Sequence, residues 1–324
     1  MRRSSTRLKS VSSEDLRRAG ELIRAGRLVA FPTETVYGLG ANALDANAVK
    51  RIFLAKGRPS TSPLIVHVDS VEMARRLVAF WPAAADTLAG RFWPGPLTLV
   101  LPKLPLVPDI VTAGLATVGI RMPDHPTALA LIRESGMPIA APSANRFTQL
   151  SPTSADHVKE SLGVAVDMIL DSGPTVVGIE STVLSLAVSP PRLLRPGMIS
   201  RQEIEALIGP VELAGRLENG EAVPHASPGM HRRHYSPATR LILVEGGARL
   251  PAGRGAYLWR EHRAEAAKCI EMPGDPAGYA AVLYDTLHRE DKQGWEWIAA
   301  EKVPDSPEWA AIADRLVRAA SQTR

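Results

Sequence analysis

The sequence predicts an α/β protein: a twisted mixed sheet with flanking helices, followed by a small second α/β unit of Rossmann-like type. Short aliphatic and β-branched runs alternate with amphipathic stretches at helical spacing over most of the 324 residues. Several of these runs follow one another with no helix between, which fits a mixed sheet better than a parallel one. The periodicity lapses from Gly209 to about Ala238 and then resumes, dividing the chain in two.

The elements follow in order. Ser12 or Ser13 caps a first helix whose opening turn holds Glu14 and Asp15, with Leu16, Ala19 and Ile23 on one face. Gly26 ends it, and Leu28–Phe31 reads as a buried strand. Asp45 caps a second helix, with Val49, Ile52 and Phe53 inward, that stops at Lys56-Gly57. Strands are expected at Leu64–Val68, Leu97–Leu101, Val118–Arg121, Ile139–Ala141, Met168–Leu170, Thr182–Leu186 and Leu193–Arg195. Helices around 71–79, 83–91, 126–135, 154–162 and 201–208 fall between some of them. Later, Leu241–Val244, Ala256–Trp259 and Glu296–Ala299 read as strands, and Ala277–Arg289 and Glu308–Ala320 as helices. The expected division is a basic tail over 1–11, a first domain over 12–208, a linker and lid loop over 209–238, and a second domain over 239–324. The loop closes with Ser227-Pro228-Gly229-Met230 and His234-Tyr235-Ser236-Pro237, and its cluster of His, Arg and Tyr marks it as functional.

Composition narrows the classes. Apolar residues make up 45% and aromatics 5%, so the core is built from Leu, Val, Ile and Ala. The formal charge is +4, and eight basic against three acidic residues in the first 27 supply the excess. This start is read as a solvated tail, with an RNA-touching arm as the alternative. Cys269 is the only cysteine, which excludes an intramolecular disulfide and a multi-cysteine zinc site. No run reaches the length of a membrane span. A soluble, cytoplasmic protein is expected.

The chemistry-bearing residues sit on turns and strand ends. Lys56 and Arg58 flank a glycine after a helix; such a pair holds polyphosphate, or merely complements the helix dipole. Ser143 and Asn145 follow a strand and either donate to phosphate or form an ordinary turn. Thr33, Glu34 and Thr35 follow the first strand, where open α/β sheets place ligands. His67 interrupts an apolar strand and is either a core residue or a ligand group. Arg121 is a carboxylate clamp or a surface ion pair. Glu180-Ser181-Thr182 and Arg195-Pro196-Gly197 add hydroxyls and another cation. There is no Gly-x-x-x-x-Gly-Lys-Ser/Thr loop, no Gly-x-Gly-x-x-Gly opening a helix, and no metal-ligand spacing. Cations, hydroxyls and an amide suit positioning and charge stabilisation, not covalent catalysis.

Together these segments resemble a known family. Lys56-x-Arg58 with Ser143-x-Asn145 is similar to the signature of the YrdC-like domain. Pro32–Leu39, Pro63–His67, Trp93–Thr98, Val118–Pro123, Glu180–Val183 and Leu194–Gly197 match it in order. With the Ser227–Met230 and His234–Pro237 loop, the chain from about residue 12 resembles the two-domain threonylcarbamoyl-AMP synthase family. That resemblance implies synthesis of threonylcarbamoyl-adenylate and pyrophosphate from L-threonine, bicarbonate and ATP, for tRNA threonylcarbamoyladenosine modification. It implies that Thr35, His67, Arg121 and Ser181 hold threonine and that Lys56, Arg58, Ser62, Thr117, Ser143, Asn145, Ser151 and Arg195 line the ATP site. Lys56, Arg58, Ser143 and Asn145 are its catalytic set, His234 and Tyr235 its lid, and Mg2+ arrives with ATP. The implied partner is a tRNA-modifying transferase complex, with direct tRNA contact left open. Ser62 departs from the asparagine common in the family, and Phe147 and Gln149 depart from its smaller or more basic residues. Two rivals remain. One is a hydrogenase-maturation carbamoyltransferase, disfavoured by the short N-terminal region and single cysteine; the other is a non-catalytic tRNA- or double-stranded-RNA-binding module.

Overall fold

Helix starts in the chain are set by side chains that take up otherwise unpaired amides. In the computed structural model, which describes residues 11–214 and 235–320, Ser12 Oγ accepts from the Asp15 amide and Asp45 from those of Asn47 and Ala48. Ser200 forms a reciprocal capping box with Glu203. Gly57 ends the second helix at φ 60°, a left-handed conformation that favours glycine and turns the chain back toward the sheet.

The first part comprises α1 (Ser13–Arg24), β1 (Val29–Phe31), β2 (Gly38–Asn42), α2 (Ala46–Lys56), β3 (Ile65–His67), α3 (Val71–Arg75), α4 (Ala83–Phe92), β4 (Leu97–Pro102), α5 (Asp109–Thr112), β5 (Thr117–Arg121) and α6 (Pro126–Ser135). It continues through β6 (Ile139–Ala140), α7 (Ala155–Leu162), β7 (Met168–Ile169), β8 (Thr182–Ser185), β9 (Arg192–Arg195), α8 (Arg201–Ile208) and β10 (Glu212–Leu213). Its ten strands form one sheet in the order β10-β9-β8-β4-β5-β3-β6-β2-β1-β7. The pairings are mixed: β3–β5 and β4–β8 are parallel, whereas β1–β2, β3–β6 and β4–β5 are antiparallel.

The second part holds β11 (Leu241–Val244), β12 (Gly255–Trp259), β13 (Lys268–Glu271), α9 (Pro276–Asp291), β14 (Trp297–Glu301) and α10 (Ala310–Ala320). Its sheet, β11-β14-β12-β13, is parallel throughout, as expected of a Rossmann-like unit.

Several expectations shift in detail. β2, β10, β13 and α5 were not expected, and α3 stops at Arg75 rather than running to 79. β2 was missed because Gly38-Leu39-Gly40-Ala41-Asn42 lacks strand-forming residues; it is a strand because β1 and β6 pair with it from both sides. β13 is a short edge strand among polar residues.

The two parts share an apolar core. Val36, Leu150, Ile179 and Tyr235 cluster with Leu283 and Tyr284 of α9 and Leu316 of α10. His157 of α7 stacks on His288 of α9 with ring centroids 3.9 Å apart.

Candidate functional site

The sheet brings its site residues together at strand ends. β3 and β5 run parallel with His67 opposite Arg121, so both side chains leave the sheet at one level. Ser181 precedes β8 and Arg195 ends β9, placing them on the same rim. Ser143 bridges antiparallel to Gly38 at the start of β2. Thr35, Arg58, His67, Arg121, Ser143 and Ser181 thereby line one cavity of about 530 Å³, which Arg195, Glu180 and Tyr235 complete.

The remaining expected residues lie around this cavity rather than on its wall. Lys56 is 2% exposed, and its ammonium donates to the carbonyl oxygens of Ser143 and Asn145. It clamps the Ser-x-Asn turn from behind. Asn145 Nδ2 donates to the carbonyls of Arg146 and Gln149, which fixes the same turn. Ser62 is buried near Arg58, and Ser151 Oγ donates to Glu180 Oε1 at 2.6 Å. Thr117 lines a neighbouring cleft of about 290 Å³ together with Thr98 and Thr112. The two spaces share Ile65, and Thr98 Oγ1 lies 2.8 Å from Ser181 Oγ. His234 lies outside the described residues. Tyr235 is buried in the cavity wall.

Tyr235 adopts φ 60°, an unusual conformation for a residue with a side chain. The neighbouring Ser236 amide donates to the carbonyl of Thr148, itself at φ 69°, and Ser236 bridges to Gln149. The linker end is thus fastened to the loop that follows the Ser-x-Asn turn.

The site is strongly cationic. Three buried arginines, Arg58, Arg121 and Arg195, line the cavity, and Glu180 is its one acidic residue among those described. Arg58 Nη2 donates to the carbonyl of Pro63 at 3.1 Å, and its guanidinium lies 5.8 Å from the Phe147 ring centroid. Burial brings Arg58 down to about 10, with Tyr235 opposing and Arg195 adding to the shift, so it stays charged at neutral pH. Burial, followed by the charge on Arg58, holds the Lys56 ammonium well below the ordinary lysine range. Arg195 Nε donates to the Ser181 carbonyl at 3.1 Å and its Nη2 to Ser181 Oγ at 3.2 Å.

His67 is a neutral imidazole. Burial, and then the charge on Arg121, lowers its pKa to about 3, and Nδ1 has no hydrogen-bond partner among the described residues. Arg121 carries an internal counter-ion that sequence reasoning missed. Glu34 Oε1 lies 2.6 Å from Arg121 Nη2, both groups buried, while Arg121 Nε donates to the Gly95 carbonyl. The pair is a contact of charges, with no N–H aimed along a carboxylate lone pair.

Glu180 was quoted in a motif but not assigned a role. Its Oε2 accepts from Tyr284 of α9 at 3.2 Å and from Arg315 of α10 at 2.8 Å. Burial pushes its pKa up, but Arg315, then Arg195 and the Ser151 hydrogen bond, outweigh it and hold the carboxyl below its usual range. The sequence signal for Arg315 was an arginine on the apolar face that Ile312, Leu316 and Ala319 form.

Residues 21–197 match the family model described as "Telomere recombination", and residues 199–321 match "Threonylcarbamoyl-AMP synthase, C-terminal domain". The chain is 46% identical to the threonylcarbamoyl-AMP synthase of Bacillus subtilis, over 96% of this chain and 94% of that one. Identity to the enzyme of that name from Pyrococcus abyssi is 45%, over 94% and 93%. Among solved structures, it is similar to P. abyssi Sua5 complexed with L-threonine, with a TM-score of 0.89 and 42% identity over 96% of each chain.

Proposed function

Because the chain belongs to the threonylcarbamoyl-AMP synthase family, we propose that it makes threonylcarbamoyl-AMP and pyrophosphate from L-threonine, bicarbonate and ATP. One observation supports this reading: Thr35, His67, Arg121 and Ser181, proposed for the amino acid, line the same cavity as Arg58 and Arg195, proposed for the phosphates.

Threonine's ammonium must lose a proton before its amine joins the carbon of bicarbonate, releasing water and leaving a carbamate. A carbamate oxygen then attacks the α-phosphorus of ATP, and the bond to the pyrophosphate leaving group breaks. The carbamate is labile in water, so both steps need one water-poor space. Arg121 is proposed to clamp the threonine carboxylate, with Thr35, the neutral His67 and Ser181 around the rest of the amino acid. Arg58 and Arg195 would take the phosphates and offset the charge that gathers there during displacement. Lys56 and Asn145 act through the turn they hold, keeping Ser143 at the cavity. Ser62, Ser151 and Thr117 belong to the surround of the nucleotide, with Tyr235 closing it and His234 as the second lid residue.

Glu180's oxygens already accept from Ser151, Tyr284 and Arg315, and no cluster of three metal-ligating side chains occurs among the described residues. Mg2+ therefore fits here as an ion that enters with ATP, held by phosphate oxygens and water. The adenylate would pass to a tRNA-modifying transferase complex in the cytoplasm. An RNA-binding role is disfavoured, because Arg58, Arg121 and Arg195 point their charge inward and are all buried. Among the described residues, no helix is long and apolar enough to cross a membrane.

The test is pyrophosphate release by the purified chain with ATP and Mg2+, with threonine and bicarbonate each supplied or withheld. Release that depends on both is expected. Release that needs neither would mark a general ATPase and overturn the proposal.

A further inference from the structure

Glu180 poses an electrostatic problem. A buried carboxylate on the wall of a polyphosphate site repels the phosphates and competes for the cations meant to hold them. Arg195, whose guanidinium is bonded to Ser181, lies close enough to feel that charge. The second domain answers from behind. Arg315 is 1% exposed; its Nε meets Glu180 Oε2 at 2.8 Å, Nη2 donates to the Glu180 carbonyl, and Nη1 donates to the Pro196 carbonyl at 3.0 Å. Its guanidinium also lies 5.3 Å from the ring centroid of Tyr235, and Asp314 accepts a further bond from Nη1. Tyr284 donates to the same Glu180 oxygen. One arginine of α10 thus touches the carboxylate on the cavity wall, the strand-end turn after Arg195, and the linker tyrosine.

We infer that Arg315, seconded by Tyr284, is a positioning residue for adenylate formation. It takes up the charge of Glu180, which keeps Arg195 directed to Ser181 and the nucleotide, and it seats Tyr235 in the cavity wall. The second domain therefore completes the nucleotide half of the site electrostatically. The inference rests on the reading of this cavity as an ATP site.

The experiment compares full-length parent, Arg315→Met, Glu180→Gln, Arg315→Met/Glu180→Gln and Arg315→Lys. Calorimetric affinities for a non-hydrolysable ATP analogue and for threonine are measured alongside pyrophosphate release. Arg315→Met, which leaves Glu180 uncompensated, should weaken the analogue by about tenfold or more, and threonine by less than about threefold. Arg315→Lys, retaining the charge, should recover most of that loss. The decisive variant is the double one. With no carboxylate left to neutralise, its analogue affinity should return to within about threefold of the parent. A purely structural arginine predicts the opposite: the second substitution would add to the damage, and that result overturns the inference. Equal weakening of threonine and analogue by Arg315→Met overturns it as well. If Arg315→Met does not fold, Tyr284→Phe carries the test, with an expected loss of about two- to fivefold for the analogue alone; no loss overturns the inference. A parent that binds the analogue but releases no pyrophosphate would instead refute the proposed reaction, so the two failures are distinct.

Discussion

Glu34→Gln tests whether the cavity holds threonine by exchanging one carboxylate for another. Glu34 and Arg121 are each 4% exposed and meet at 2.6 Å. Glutamine fills the same volume and removes the charge, so Arg121 is left buried with only the Gly95 carbonyl as a close partner of its Nε. Breaking a buried ion pair by removing one partner costs about 3–5 kcal/mol, and the retained amide dipole puts this case near 3. In a chain of this size that lowers Tm by about 4–5 °C. The same change makes Arg121 a stronger anion site, because an incoming carboxylate no longer meets a neutralised guanidinium. Threonine should therefore bind about tenfold more tightly to the variant and restore part of its lost Tm. Thermal unfolding followed by fluorescence, with threonine titrated from zero to saturation, measures both effects. A variant with unchanged Tm would show that the ion pair contributes nothing. One with lowered Tm but an unaltered threonine response would show that Arg121 does not clamp the substrate.

Three further changes probe the frame around the cavity. Lys56→Met leaves the buried carbonyls of Ser143 and Asn145 unpaired, so a stability loss of about 2–4 kcal/mol in urea unfolding should accompany loss of turnover; a fully stable variant would refute the clamp. His288 is depressed to about 4 by burial, then by its neighbour His157, so it is neutral when folded while its unfolded form binds a proton near pH 6.5. Stability should thus fall as pH drops below that value, by about 2 kcal/mol from pH 7 to 5 for this group, and His288→Gln should flatten the slope by that amount. Gly178 has φ 80°, and a Cβ there would come within 2.2 Å of the carbonyl oxygen of Ala280 in α9, where the two parts meet. Gly178→Ala is expected to cost about 2–5 kcal/mol from backbone strain and overlap, and a loss below about 1 kcal/mol would contradict the close junction.

What was legible in the sequence follows from how far each interaction reaches. The caps act within three residues: Asp45 sits where the chain alone places it, and of the two serines it offered for the first helix the structure selects Ser12. The mixed character of the first sheet and the parallel second sheet could likewise be expected from the succession of elements. Local pattern put Thr35, Arg58, His67, Arg121, Ser181 and Arg195 at turns or strand ends but left each with an ordinary structural reading; only the family resemblance of the ordered motifs joined them into one site, and the structure gathers them on one cavity. Orientation was less accessible. Nothing in Lys56-Gly57-Arg58 says that the arginine faces the cavity while the lysine turns to carbonyls about ninety residues onward; that depends on the left-handed turn at Gly57 and on where the Ser143 loop returns.

The partners of the charged groups lay beyond local pattern for the same reason. Glu34 meets Arg121 from the loop after β1, and Glu180 meets Arg315 of α10, 135 positions further along the chain. Yet both carboxylates have a common logic. Each of these buried acids is matched to a particular buried arginine, Glu34 to Arg121 at the end of β5 and Glu180 to Arg315 of α10. The matching differs in kind. Glu34 opposes a cation that itself lines the cavity, so it tempers how strongly that cation draws an anion. Glu180 is opposed by an arginine outside the lining, so its charge is absorbed while Arg58 and Arg195 remain cations of the wall. A zwitterionic amino acid needs only moderate attraction at one end, whereas a triphosphate needs a strong positive field. On the proposed assignment of threonine and ATP to this cavity, the two arrangements would supply that difference.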